Sequence, residues 1–213
     1  MKLKAVIFDF DGVLIDSEIV NIEAGAKAFG EFGYELTQED RAKIVGLHSH
    51  DYVKMFQGRM GFSEEIRTKI LEKIVEEYNL IFEGLIKLQP HVKEVLEYLR
   101  NKNIVMGIAT TNRRQRVETF FRKYNLENYF AFAITSEDLT KRKPDPEAYQ
   151  LAKSRTPFED AEILTIEDSE YGVNSAKGAG LVCAAVPTHL TKDHDFSRAD
   201  YVWSSIKEVE NFF

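Results

Sequence analysis

A chain of 213 residues, 44% of them hydrophobic, is long enough to build one ordinary domain, or a domain carrying a smaller insert, around a sizeable core. Its formal net charge of −7 argues against a nucleic-acid backbone or an anionic membrane surface as the main partner. The single cysteine, Cys183, excludes an intramolecular disulfide. No run of about 18 apolar residues is present, and "MKLKAVIF" passes into acidic residues before a signal-peptide core forms, so a reducing cytoplasm is the expected setting.

The chain opens with "LKAVIFDF", a continuous apolar run that reads as a short strand buried on both faces. Directly after it come Asp9, Asp11, Asp16 and Glu18. From residue 18 to about 82 the pattern is helical. Ile19, Ile22, Ala26 and Phe29 recur at helical spacing, with Gly30 and Gly33 near the helix end. "TQEDRAKIVG" pairs Thr37 with Asp40 at capping-box spacing and stops at Gly46. "SHDYVKMFQGRMG" places Tyr52, Met55 and Phe56 on one side, and the last helix starts at Ser63 with a stripe of Ile66, Ile70, Ile74 and Tyr78. Consecutive amphipathic helices with no strand between them predict a small bundle.

Beyond about residue 84 helices and strands alternate. "HVKEVLEYLRN", "RRQRVETFFRKYN", "DPEAYQLAKS" and "YGVNSAKGAG" read as helices; "IVMGIATT", "YFAFAITS", "EILTIED" and "LVCAAVP" read as strands, and "YVW" and "IKEVENFF" close the chain. The alternation predicts an α/β fold: a Rossmann-like, doubly wound parallel sheet. Its first strand precedes the bundle, so the bundle is an insertion. The expected division is a core of residues 1–16 and 83–213 and a helical cap of residues 17–82.

Ligands of open α/β sheets bind outside the carboxyl ends of the strands. There the first strand delivers Asp9, Asp11 and Gly12, the next Thr110, Thr111 and Asn112, the loop after the third Lys141, Arg142 and Lys143, and the fourth Glu167, Asp168 and Ser169. Two carboxylates about 5 Å apart repel by roughly 3 kcal/mol at an effective dielectric of about 20. A group of them therefore needs a cation or raised pKa values. An all-oxygen donor set beside phosphate-binding lysine and hydroxyls favours Mg²⁺, and carboxylate nucleophile, metal and anion clamp together point to phosphoryl transfer.

"DFDGVLIDS", Thr110 of "IATTN", Lys143 of "KRKPDP" and "IEDSEYG" around Asp168 resemble, in order and over the whole chain, the four motifs of the haloacid dehalogenase superfamily, and within it the phosphatase and β-phosphoglucomutase-like branch, which inserts a helical cap after motif one. The resemblance implies that Asp9 is the nucleophile forming an aspartyl-phosphate and that Asp11 is general acid, then base. It implies Mg²⁺ held by Asp9, the Asp11 main-chain carbonyl and Asp168, with Glu167 a ligand or a neighbour of the ligands. Thr110, with Thr111 and Asn112 near it, would bind phosphate, and Lys143 would neutralise phosphate charge and keep Asp9 ionised.

The mutase type carries a His in the first cap helix, where this chain has Asn21, and an Arg in the second cap segment, where it has Ser49 between His48 and His50. Both departures favour water as the acceptor, hence a phosphomonoesterase of a small metabolite such as a sugar phosphate. Asn21, His48, Ser49 and His50, in or near "GLHSHD", are the candidates for substrate specificity. A phosphosugar mutase is the alternative. A dehalogenase is a rival within the superfamily, and Asp11 and Asp168 argue against it; a phospho-receiver and a binding-only relative are rivals of another class. Neither His48 with His50 nor His194 in "KDHDF" has the spacing and distant partners of a zinc set. Oligomeric state is not readable from the sequence.

Overall fold

The apolar run after Lys4 forms β1 (Ala5–Phe8), buried along its whole length. A strand hidden on both faces needs neighbours on both edges. In a computed structural model, which describes residues 3–44, 47 and 49–213, β1 pairs in parallel with β4 (Val105–Ala109) on one side and β6 (Ile163–Glu167) on the other. The chain divides into two units, one built from Met1–Asp16 with Lys87–Phe213, the other from Ser17–Ile86. The sequence reading ended the helical segment at residue 82; its last helix runs on to Leu85, and the division falls after Ile86.

The first unit carries a six-stranded sheet of order β5-β4-β1-β6-β7-β8, with β5 (Phe132–Ile134), β7 (Val182–Ala185) and β8 (Tyr201–Val202). Every pairing in it is parallel. Around it run α5 (Val92–Asn101), α6 (Arg114–Tyr124), α7 (Glu147–Lys153) and α8 (Glu170–Gly178). Alternate residues of β1 serve opposite faces. Ala5 and Ile7 join a cluster with Tyr149, Val173 and Cys183, while Phe8 meets Phe130 edge-on at 6.1 Å. Beyond the strand, Phe10 meets Phe120 the same way at 5.2 Å. Burying each such ring contributes about 1.5–3 kcal/mol.

Register decides where the chemistry emerges. Phe8 lies level with Ile108 and with Ile166, so Asp9, Thr110 and Asp168 leave three adjacent strands at the same end. Successive strands run outward from β1 to β5 on one side and from β6 to β8 on the other. The crevice opens where that order reverses. Two short antiparallel strands that the sequence did not announce, β2 (Ile15–Asp16) and β3 (Lys87–Leu88), join the ends of the first unit's two segments. Two residues per strand are too few for a readable period.

The second unit consists of α1 (Glu18–Glu31), α2 (Gln38–Ile44), α3 (Ser49–Met60) and α4 (Glu64–Leu85). The Thr37 hydroxyl accepts from the Asp40 N–H at 3.2 Å and Asp40 Oδ2 accepts from the Thr37 N–H at 3.1 Å, which closes the capping box. Ser63 caps α4 by accepting from the Ile66 N–H. Phe29, Phe56, Phe62 and Ile70 fill the centre. Each of two expected stripes loses one member to solvent. Ile19 is 37% exposed; Ala26 and Phe29 of the expected stripe are buried, and α1 also buries Val20, Ala24 and Ala28 on the adjoining strip, which lies close to α4. Met55 is 42% exposed, and Val53 joins Tyr52 and Phe56 inside. Among the described residues no helix is long and apolar enough to cross a membrane.

Candidate active site

Lys143 lies at the centre of the carboxyl-end crevice, its side chain only 8% exposed. Its ammonium donates to Asp9 Oδ1 at 2.6 Å, to Glu167 Oε1 at 2.6 Å and to the Ala109 carbonyl at 2.8 Å. Those three acceptors match the three hydrogens of an ammonium, and the Tyr149 hydroxyl lies at 3.3 Å as a fourth, longer contact. The loop bearing Lys143 is tied down on both sides. Ser175 of α8, fully buried, donates to the Asp145 carbonyl at 2.6 Å, and the Glu147 carboxylate accepts from the N–H groups of Thr140 and Lys141.

The structure brings Asp9, Glu167 and Asp168 together, each with a carboxylate oxygen within 4.8 Å of the others. Three carboxylates face one ammonium, so the group is short of positive charge. Burial is the chief cause that raises the Asp9 carboxyl to about 7, against the pull of Lys143, with repulsion from Glu167 and Asp11 adding to it. Burial, then Asp9 and Glu167, push Asp168 well above the usual carboxylate range. Burial alone would lower Lys143, but Asp9 and Glu167 raise it above its ordinary value. All-oxygen donors with an uncompensated charge fit a hard divalent cation. The backbone makes room for the group: Gly12 has φ +81°, and a Cβ there would overlap the Asp168 carboxylate.

Glu167 is fully buried, and its oxygens are well occupied. Oε1 accepts from Lys143 and from the Tyr149 hydroxyl at 2.7 Å. Oε2 accepts from the Asp168 N–H at 3.2 Å and, more loosely, from the Ser169 hydroxyl at 3.5 Å. Its carboxylate is thus engaged in holding Lys143 and the Asp168 backbone. Two residues that support it escaped the sequence reading. Tyr149 hides in the apolar stripe of α7. Gly172 stands in the first turn of α8, where a Cβ would collide with the Glu167 carboxylate. Tyr149 carries no local signal and reaches Glu167 only through the fold, whereas Gly172 ends the segment "IEDSEYG" that contains Glu167. Tyr149→Phe keeps the ring and removes the donor to Glu167, so urea unfolding is expected to show a loss of about 1–3 kcal/mol.

Thr110, 1% exposed, accepts from the Asn112 N–H at 3.0 Å, a bond that does not engage its own hydroxyl hydrogen. Thr111 is half-buried beside it. Asn112, expected at the phosphate, turns its side-chain nitrogen to Asp11 Oδ2 at 2.8 Å, while its Oδ1 accepts from the Arg113 N–H and from Arg116.

The specificity candidates belong to the helical unit. Asn21 on α1 donates its side-chain amide to the Leu47 carbonyl at 3.3 Å, which brings it to the segment preceding Ser49 and His50 at the start of α3. His48 lies outside the described residues. His194, one of the histidines weighed for zinc, accepts the Glu170 N–H on Nδ1 at 3.3 Å.

A family model described as haloacid dehalogenase-like hydrolase matches residues 6–186. A phosphorylated carbohydrates phosphatase of Thermotoga maritima is 30% identical over 84% of this chain and 82% of its own. Hexitol phosphatase B of Escherichia coli is 24% identical over 98% and 95%. In structure, a haloacid dehalogenase-superfamily hydrolase of subfamily IA from Geobacter sulfurreducens superposes with a TM-score of 0.80, at 22% identity over 98% of this chain and 95% of that one. With the family model spanning most of its length, this chain belongs to the haloacid dehalogenase-like hydrolases, an enzyme family in which its named relatives are phosphatases.

Proposed function

We propose that this enzyme is a Mg²⁺-dependent phosphomonoesterase that hydrolyses a small, sugar-phosphate-like metabolite through an aspartyl-phosphate on Asp9. The observation that carries the reading is the buried group of Asp9, Glu167 and Asp168 gathered around Lys143 at the carboxyl ends of the strands. The carbohydrate-phosphate class rests on the named relatives.

Asp9 and Asp168, with the Asp11 main-chain carbonyl, are the groups assigned to hold Mg²⁺, whose chemistry there is to offset phosphate charge and make phosphorus more electrophilic. Glu167 takes a supporting place, because its oxygens already hold Lys143 and the Asp168 backbone. In the first step an Asp9 carboxylate oxygen bonds to phosphorus. The bond from phosphorus to the leaving oxygen breaks with its electron pair, and that oxygen takes a proton from Asp11 to depart as an alcohol. In the second, Asp11, now a carboxylate, removes a proton from water. The water oxygen bonds to phosphorus, and Asp9 is released as a carboxylate. Lys143 keeps Asp9 ionised and meets phosphate charge, and Thr110 and Thr111 donate to phosphoryl oxygens. The neutral Asn21 and Ser49, in places where a mutase would carry His and Arg, support water as the acceptor.

Phosphate release from a panel of sugar, polyol and carboxylic-acid phosphates tests the reading. Release is expected with Mg²⁺ and is expected to vanish with EDTA and return when Mg²⁺ is restored. Folded protein that frees no phosphate from any of the panel in Mg²⁺ overturns it. Turnover undiminished by EDTA removes the metal from it.

A further inference from the structure

A carboxyl group that gives a proton to a leaving group and later takes one from water must present the same oxygen both times. In this fold the Asp11 carboxyl is held by a side chain whose own orientation is fixed. Asn112 Oδ1 receives two donors, the Arg113 N–H at 2.8 Å and Arg116 Nη1 at 2.9 Å. Neither can accept a hydrogen bond, so the atom facing them is an oxygen and the amide has one possible orientation. Its nitrogen is then the atom that meets Asp11 Oδ2, at 2.8 Å. Asn112 is 9% exposed, so little water competes for these bonds. Arg116 stands in the first turn of α6, just after Asn112, and the main chain of Asn112 is pinned as well: its N–H donates to Thr110 and its carbonyl accepts from the Ser136 N–H at 2.9 Å.

We propose that Asn112, locked by Arg116, is the positioning residue for Asp11: it keeps Oδ2 facing an N–H donor and so confines the transferable proton to Oδ1. The stronger acceptor of a carboxylic acid is its carbonyl oxygen, so an N–H aimed at Oδ2 makes Oδ2 the carbonyl and Oδ1 the hydroxyl. This rests on the reading of Asp11 as general acid and base. It gives Asn112 a task beyond the phosphate contact that its place beside Thr110 implies, and it assigns a task to Arg116, a residue outside the four motifs.

Leaving-group dependence tests it. A p-nitrophenolate departs without a proton near neutral pH, whereas an alkoxide needs one. The quantity to read is the ratio of kcat/KM for glycerol phosphate to kcat/KM for p-nitrophenyl phosphate, because kcat/KM reports the steps up to transfer onto Asp9. General acid catalysis is worth about 10²–10⁴-fold, so loss of its positioning in Asn112→Ala is expected to lower the ratio by ~10-fold or more. Arg116→Met should lower it in the same direction by less, since the Arg113 N–H still holds the amide, and Arg116→Lys should restore part of the loss. If Asn112→Ala and Arg116→Met each depress both substrates by the same factor, the two residues are structural or bind phosphate directly, and the proposal is wrong. Asp11→Asn separates the cases: an Asp11→Asn protein whose ratio equals wild type sinks the underlying reading of Asp11, whereas a lowered ratio in Asp11→Asn beside unmoved ratios in the Asn112 and Arg116 variants sinks only this inference.

Discussion

Asp9→Asn is expected to leave the fold intact and to lower turnover by ~10⁴-fold or more, the scale on which removal of a nucleophile acts. The amide has the shape of the carboxylate, and its Oδ1 can still accept from Lys143, so the sheet edge keeps its geometry. What disappears is the negative charge that would make the Asp9 oxygen a nucleophile toward phosphorus. The same variant tests the electrostatics. Burial pushes the Asp9 carboxyl up to about 7, against 3.8 for an ordinary aspartate. The folded protein therefore binds this proton more tightly than the unfolded chain. The stability that comes from the tighter binding is complete below about pH 4 and is lost as pH rises through about 7. A divalent cation takes over from the proton, so Mg²⁺ should raise Tm more at about pH 8 than at about pH 5. At about 100 times its dissociation constant a ligand adds about 2.7 kcal/mol, or roughly 5–10 °C for a chain of this size. In Asp9→Asn both the pH slope and the Mg²⁺ gain should shrink. Turnover equal to wild type would place the nucleophile elsewhere, and a Mg²⁺ gain indifferent to pH would take Asp9 out of the cation site.

The sheet was legible because its evidence is local. β1, β4, β6 and β7 are buried apolar runs that end on Asp, Thr, Glu-Asp or Pro, and a parallel sheet makes neighbours of such ends whatever the intervening length. That is why Asp9, Lys143 and Asp168 could be assembled from motif order alone. The rest depended on three-dimensional proximity. Tyr149 reads as one more apolar position of a helix, and its hydroxyl acquires meaning only when α7 lies against Glu167. Gly172 reads as a poor helix former until the Glu167 carboxylate occupies the space of its absent Cβ. The helical unit shows the limit of periodicity. Of positions 19, 22, 26 and 29, Ala26 and Phe29 are buried and Ile19 is not, while Val20, Ala24 and Ala28 on the adjoining strip go inside as well, so the period located the inward face without fixing its edges. Asn112 marks a different boundary: the sequence placed it beside the phosphate-binding hydroxyls, but no pattern of spacing reveals that its amide is turned by Arg116 toward Asp11.

Lys143→Ala is expected to cost the most stability of any change in the site, about 3–5 kcal/mol, because it strands buried carboxylates rather than merely removing a contact. The ammonium is the counter-charge of both Asp9 and Glu167, at 2.6 Å from each, and their side chains are 12% and 1% exposed. Glu167 would keep the Tyr149 hydroxyl and the Asp168 N–H, dipoles that share the charge without neutralising it. Asp9, already raised to about 7 by burial, would then recover by taking up a proton, and this fixes the sign of the pH effect. The variant should come nearest to wild type at about pH 5, where protonation supplies what lysine no longer does, and the gap should widen toward about pH 8. Urea unfolding at the two pH values reads this directly. Lys143→Met, which restores most of the lost volume, separates charge from cavity: if it unfolds like wild type at both pH values, the ion pairs contribute nothing and the loss in Lys143→Ala is a packing defect. Under the proposed function the same lysine offers its positive charge to phosphate, its hydrogens being taken by protein oxygens, so inorganic phosphate should inhibit the folded Lys143→Met protein at least ~10-fold more weakly than wild type, about 1.4 kcal/mol. Unchanged inhibition would confine Lys143 to holding Asp9 and Glu167 and leave the anion to Thr110 and the backbone around it.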